Sequence, residues 1–288
     1  MGEWWISRNE KLEFGENCNG YYNSFTRFYY KFHPCQGKIL ICNEQGIVTN
    51  FYTVLDITAE LLVISDTKGE IHHLTHKQPE AEQLNIIGNY CDWDENKAVG
   101  MVPVFDNEDE QWHIVYIDNS EIFIKKGNVD IIDEIKIDPS SECKDVIKIN
   151  NGGISSMKEG WYLLILKKLH ASSSKSEYMA TINTPDVRLI GPAIGDNSYE
   201  NSVSFSIPES RSGMFVSPAT RATSGMDGDC IRMFVNIPGF DWWKSEFLIG
   251  IDGNKISYRG SGGDQDRVGC EDNQHIYLNF NNDTGELK

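Results

Sequence analysis

Residues Gly239 to Gly269 read GFDWWKSEFLIGIDGNKISYRGSGGDQDRVG, and they hold the densest chemistry in the chain. Two adjacent indoles, Trp242 and Trp243, precede an apolar run. A glycine-rich segment follows, with Tyr258, Arg259, Asp264, Gln265 and Arg267 close together. An exposed indole offers a flat apolar plate that stacks on the C–H face of a pyranose ring, and planar polar groups beside it hydrogen-bond equatorial hydroxyls. On a strand, Trp242 and Trp243 would point to opposite faces, one inward and one outward. The competing reading pairs Arg259 and Arg267 with Asp264, Asp266 and Glu246 in a surface charge network, with both indoles sealing a core. A third tryptophan of interest, Trp93, sits in the polar stretch CDWDEN between Asp92 and Asp94. Loop tryptophans flanked by acids serve binding or structure about equally, whereas Trp112 and Trp161 lie inside strand patterns and read as core.

Other constellations carry less. GSGGDQDRVG follows a strand pattern but opens no helix, so it is no dinucleotide loop. Asp264 and Asp266 form a D-x-D pair, yet the six or more oxygens of a calcium shell are not visible. In EIHHLTH, His72 and His76 share one strand face, but a metal would need a further ligand from elsewhere. The S-x-x-K match at Ser155–Lys158 lies in a turn before a strand, not at a helix start. Acids are plentiful, but nothing fixes a general acid and a base across one cleft, so a glycosidase is the weaker reading. No cofactor motif appears.

The elements that must position these residues are strands. Short β-rich runs such as KILIC, FYTVLDI, ELLVIS, QWHIVYI, WYLLIL and HIYLNF alternate with Gly, Asn, Asp and Pro, and helical periodicity is almost absent. The runs also repeat. KILICNEQGI, ending at Ile47, and DVIKINNGGI, ending at Ile154, lie at an offset of 107, as do Lys68 and Lys175. A repeat of this length matches one β-sandwich per copy. The chain accordingly divides into residues 1–80 (the back part of one sandwich), 81–183 (a complete unit) and 184–288 (a unit lacking its last hairpin). The fold class expected is all-β, with tandem immunoglobulin-like or carbohydrate-binding-module-like sandwiches. Segments 37–80 and 144–183 are expected to superpose.

Composition bounds the function. Among 288 residues, 43 acidic against 26 basic give a net charge of −17, which repels phosphate backbones and argues against nucleic acid as a partner. No apolar run approaches the ~18 residues of a membrane helix. The opening MGEWWISRNE has no apolar signal stretch, which suits a cytoplasmic chain or a mature one. The seven cysteines are scattered singly, without a C-x-x-C pair, and read as unpaired thiols.

The middle unit, opening LNIIGNYCDWDENKAVGMVPV, resembles the repeat of the SusE/SusF-type outer-membrane glycan-utilisation lipoproteins of Bacteroidetes. The residues that carry the resemblance are Ile86-Ile87-Gly88, Trp93, Met101-Val102-Pro103, Trp112 and Trp161-Tyr162. The third unit matches through Leu189-Ile190-Gly191 and Phe240–Arg267, with Tyr199 where the loop pattern has tryptophan. The resemblance implies non-catalytic binding of a polysaccharide or oligosaccharide at the cell surface, alongside other outer-membrane glycan-uptake proteins. A structural or adhesin-type sandwich protein without a sugar site is the alternative. A binding platform needs a solvent-exposed indole, and a spacer domain buries every one.

Overall fold

The computed structural model describes residues 2–6, 10–23, 26–77, 83–107, 109–126, 130–132, 134–169, 177–226, 228–251, 254–260 and 266–288. Among them the regular structure is strand, interrupted only by one-turn 3-10 segments. Two compact units emerge, Met1–Ala81 and Glu82–Lys288.

The first unit is a closed barrel of eight strands in chain order: β1 (Gly2–Trp5), β2 (Lys11–Phe14), β3 (Asn19–Tyr22), β4 (Thr26–His33), β5 (Lys38–Cys42), β6 (Val48–Ile57), β7 (Leu61–Ser65) and β8 (Ile71–Thr75). Each pairs antiparallel with the next, and β1 meets β8 at Trp5 and Thr75. Alternation sends Leu12, Phe14, Phe28, Ile39, Leu62, Ile64 and Leu74 inward with Trp4. Gly20 is obligatory at the tightest point, where a Cβ would lie 2.4 Å from the Phe28 ring. Residues 1–80 are therefore not the open back part of a sandwich. Register shifts between Ile41 and Cys42 and between Val54 and Asp56 bend the central strands, and the meander curls until its edges pair.

Segments 37–80 and 144–183, expected to superpose, each contain antiparallel hairpins but pair differently. In the barrel β6 is one continuous strand that pairs with β7. At the corresponding place in the second unit the chain turns at Met157–Glu159 and crosses from one sheet to the other.

That second unit holds two sandwiches. The middle one runs from β9 (Leu84–Gly88), β10 (Val99–Met101), β11 (Pro103–Asp106), β12 (Glu110–Ile117) and β13 (Ile122–Lys126) to β14 (Asp130–Ile131) and β15 (Ile135–Ile137). It ends with β16 (Ile147–Asn150), β17 (Gly153–Ser156), β18 (Gly160–Leu169) and β19 (Glu177–Asn183). One sheet is ordered β10-β9-β13-β17-β16 with β14 against β13; the other is β11-β12-β18-β19-β15. The third sandwich comprises β20 (Val187–Ile190), β21 (Val203–Ser204), β22 (Phe215–Val216), β23 (Arg232–Val235), β24 (Glu246–Ile249), β25 (Ile256–Tyr258), β26 (Ile276–Asn279) and β27 (Thr284–Leu287). Its sheets are β21-β20-β23-β24-β25 and β22-β26-β27.

The pair β12–β18 explains the uninterrupted apolar runs QWHIVYI and WYLLIL. One face, with Val115, Ile117, Tyr162, Leu164 and Leu166, fills the middle sandwich's own core. The opposite face, with Trp112, Ile114, Tyr116, Trp161 and Leu163, joins the core of the third sandwich. Strands covered on both sides lose polar alternation. Trp112 packs 4.6 Å from Phe240 and Trp161 5.4 Å from Phe215, and burying each indole contributes about 4–6 kcal/mol before entropy is subtracted. Trp161 Nε1 also donates to the Ser210 carbonyl at 3.2 Å, so the seam is polar as well as apolar.

Candidate functional site

The tryptophan pair is not on a strand. Pro238 and Gly239 (φ +81°) end β23's extension in a turn closed by Phe240 N–H on the Ile237 carbonyl. The chain then enters a single 3-10 turn, Trp242–Ser245, pinned from beneath by the Ser245 hydroxyl donating 2.7 Å to Val235 O. Side chains step by about a third of a turn in such a segment. So Phe240 points into the seam against Trp112, Trp242 lies half-buried and Trp243 stands 50% exposed. The two indoles are perpendicular, 85° and 6.2 Å apart, and neither seals a core. The opposite-face expectation fails because Asp241 starts a turn instead of a strand.

Trp242 leans on Phe234 of β23 at 5.8 Å, and Phe234 is in turn 6.0 Å from Tyr199. Tyr199 opens a 3-10 turn in the loop between β20 and β21, and it is 36% exposed. The turn is braced by Asp196, whose carboxylate accepts from Ser198 and Asn201 and is held below the usual carboxylate range by those bonds. An aromatic row therefore runs Tyr199–Phe234–Trp242–Trp243, with Phe234 as its buried footing. Polar groups flank it. The Tyr199 hydroxyl donates to Asn236 Oδ1, Asn236 Nδ2 donates 2.7 Å to Asp186, and Asp186 also accepts from Arg188 Nε at 2.8 Å and Ser204 at 2.9 Å.

The other residues singled out from the sequence fall elsewhere. Arg267 is buried, with Nη1 2.8 Å from Glu246 Oε1 and 3.2 Å from the Ile231 carbonyl. Glu246, itself 1% exposed, also lies 3.1 Å from Arg232 and 3.4 Å from Arg259. Arg259 and Arg267 thus belong to a buried charge cluster that neutralises one carboxylate, and Arg267 presents no surface to a ligand. Tyr258 sits in the seam, edge-on to Phe105 at 5.7 Å, and burial pushes its hydroxyl up to about 12. It still serves the row indirectly, because its O–H donates 3.0 Å to the Lys244 carbonyl in the tryptophan turn. Asp264 and Gln265 lie outside the described residues.

Trp93 belongs to the middle sandwich. It adopts φ +58°, donates its indole N–H 2.8 Å to Asn89 Oδ1, packs 5.7 Å from Phe123 and is 45% exposed. Elsewhere, Asp66, Glu70 and His72 on the β7–β8 hairpin bring ligand atoms within 4.8 Å of one another. His76 instead stacks on Trp4 at 3.7 Å.

Sequence reasoning missed Phe234, Asn236, Asp186 and Arg188 as parts of the row and its rim. Tyr199 was readable as the one aromatic in a loop of Asn, Ser and Asp, the composition in which an exposed ring stands out.

Residues 186–286 match the model of a family described as SusF/SusE starch specific CBMs. Outer membrane protein SusF of Bacteroides thetaiotaomicron is 31% identical over 229 residues, covering 72% of this chain and 43% of that protein. A crystal structure of SusF from Bacteroides thetaiotaomicron aligns with a TM-score of 0.52 at 26% identity, over 79% of this chain and 52% of that one. The chain thus spans about half the length of the relatives it matches.

Proposed function

We propose that the third sandwich, whose residues 186–286 match the model described as SusF/SusE starch specific CBMs, holds a starch-like glycan on the row Tyr199–Trp242–Trp243 without cleaving it. The observation that carries this is a continuous aromatic row on the matched module, with Tyr199 and Trp243 exposed and Trp242 half-buried between them. A core or spacer domain would bury them. Stacking of one pyranose buries on the order of 60–100 Å², which is about 1.5–3 kcal/mol at ~25 cal/mol/Å². Hydrogen bonds to rim groups such as Asn236 and Arg188 add roughly 1 kcal/mol each. After the cost of association, a single site binds at about millimolar to tens of micromolar. Weak sites suit a polymer, because repeated engagement raises avidity through effective concentration.

The likeness to an outer membrane protein supports a place at a bacterial outer membrane, and this reading adds other glycan-uptake proteins as neighbours. Two exposed carboxylates poised across a cleft, which hydrolysis needs, play no part in this reading. The middle sandwich acts as a rigid spacer with, at most, an accessory contact at Trp93. The test is affinity electrophoresis of the chain through gels containing amylopectin or pullulan. Wild type is retarded, and Trp242→Ala migrates as in a plain gel while keeping its circular dichroism. Equal migration of both proteins in every gel defeats the proposal.

A further inference from the structure

The barrel of residues 2–75 lies outside the matched module, and one of its faces gathers cations and aromatic rings. Strand alternation fixes which residues of β3 to β6 face outward. Phe28, Tyr30, Ile39, Ile41, Tyr52 and Val54 belong to the barrel core. Their alternates are therefore outside: Tyr21 on β3, Arg27, Tyr29, Lys31 and His33 on β4, Lys38 and Leu40 on β5, and Phe51 on β6. Register places them side by side, with Tyr21 opposite Arg27, Lys31 opposite Leu40, His33 opposite Lys38 and Leu40 opposite Phe51.

Two properties mark this face. The first is positive charge gathered on neighbouring strands. Elsewhere Arg188, Arg211, Arg232, Arg259 and Arg267 pair with carboxylates, while Arg221, Lys148 and Lys255 have no carboxylate partner among the described residues. Arg27, Lys31 and Lys38 have no carboxylate partner among the described residues, in a protein of net charge −17. The second is aromatic interleaving. The Arg27 guanidinium lies 5.1 Å over the Tyr29 ring and the Lys38 ammonium 4.4 Å over Phe51, while Tyr21 stands 39% exposed at the margin. Cation–π contact fixes where each charge sits without neutralising it.

We propose that this outer face of β3–β6 binds an acidic polysaccharide, a chain of pyranose rings bearing carboxylates. The carboxylates meet Arg27, Lys31 and Lys38, and the ring faces lie on the aromatic side chains between them. Same-face neighbours on a strand are about 7 Å apart, so Arg27 and Lys31 lie about 14 Å apart, the reach of a short oligosaccharide. The choice of a saccharide over other anionic polymers rests on the glycan-binding reading above. The net negative charge of the chain repels such a polymer elsewhere, which favours the cationic face.

The experiment uses the whole chain in affinity gels containing polygalacturonate, neutral pullulan, poly-aspartate or single-stranded oligo-dT. Polygalacturonate should retard the wild type, and raising salt from 50 to 300 mM should weaken retention at least threefold. The triple variant Arg27→Gln/Lys31→Gln/Lys38→Gln should lose polygalacturonate retention at least tenfold and keep pullulan retention unchanged. Lys31→Glu, a single change at an exposed position, should lose it partly and serves if the triple variant misfolds. Retention of poly-aspartate or oligo-dT equal to that of polygalacturonate would overturn the proposal, since the face would then read charge alone. Unchanged polygalacturonate retention in folded variants would overturn it too. Loss of pullulan binding with polygalacturonate binding intact would break only the reading of the third sandwich.

Discussion

The middle and third sandwiches present the same corner with opposite chemistry. In both, a first strand that runs up to a glycine (Gly88 as its last residue, Gly191 just after it) is followed by two 3-10 turns and paired across with a second strand. Matching the registers at those glycines sets Asn85 against Arg188, and Lys125 against Phe234. The second turn begins with Glu95 in one and Tyr199 in the other. Where the third sandwich puts Tyr199 on Phe234, the middle one puts a 2.7 Å ion pair, Lys125–Glu95. The tryptophan turn that completes the row in the third sandwich also has no counterpart: residues 127–134 contain no aromatic. The framework therefore fixes where the corner stands, and a few side chains decide whether it carries an aromatic row or a half-buried charge pair. Trp93 and Phe123 form an aromatic contact of their own in the middle sandwich.

The largest effect expected lies in the charges behind the two corners. Glu246→Gln leaves buried Arg267 without its 2.8 Å partner and should cost about 3–5 kcal/mol in urea unfolding. Lys125→Met should cost no more than about 1 kcal/mol, because Glu95 is 66% exposed and water takes over its solvation. Equal costs would mean that the two corners are not supported differently.

Next come the plates. Trp242→Ala should weaken amylopectin retention by roughly 10- to 100-fold, the loss of about 1.5–3 kcal/mol of stacking. Trp93→Ala should change it less than about threefold, and Trp243→Ala, at 50% exposure, should leave stability within about 1 kcal/mol. If Trp93→Ala matches Trp242→Ala in retention, the middle sandwich is a binding module in its own right.

A smaller effect tests the seam that holds the two sandwiches together. Asp283 of the third sandwich has Oδ1 buried without a hydrogen-bond partner, and Oδ2 faces Gly100 of the middle one, where a Cβ would sit 3.7 Å away. Burial pushes its carboxyl up from 3.8 to about 7, with Lys255 opposing. An acid raised in the folded state binds a proton that the unfolded chain has already lost. Its contribution is complete below pH ~4 and fades as pH rises toward ~7. With screening of a partly exposed group, this is about 1 kcal/mol, or roughly 2–4 °C in Tm between pH 4.5 and 7.5. Asp283→Asn should remove that slope, and an unchanged slope would assign it to other groups. The smallest effect concerns the thiols. All seven cysteines are free, so dithiothreitol should leave the Tm of both units unchanged within about 1 °C, against the ~2–5 kcal/mol that a lost disulfide costs.

Much of this architecture was readable in the chain. The apolar runs mark strands, and QWHIVYI and WYLLIL, lacking polar alternation, mark the two strands covered on both faces. The barrel was not readable, because its closure depends on the contact of Trp5 with Thr75, seventy residues apart, and on bulges that leave no local signature. Local similarity between KILICNEQGI and DVIKINNGGI reports a shared hairpin and says nothing about what the hairpin pairs with next. At the site, the tryptophans were found and their geometry was not. Pro238-Gly239 and Asp241 are turn signals that end the strand before Trp242. The arginines misled for a physical reason. A guanidinium beside glycines looks available in sequence, yet Arg267 is drawn inward by Glu246, a carboxylate too deeply buried to remain unpaired.

The central claim is that the chain carries one neutral-glycan site, and that it lies on the third sandwich. Isothermal titration of the whole chain with maltoheptaose tests this most directly. One site per chain is expected, with Kd of about millimolar to tens of micromolar, abolished by Trp242→Ala and retained in Trp93→Ala. Two sites per chain, or binding that survives Trp242→Ala, would contradict it.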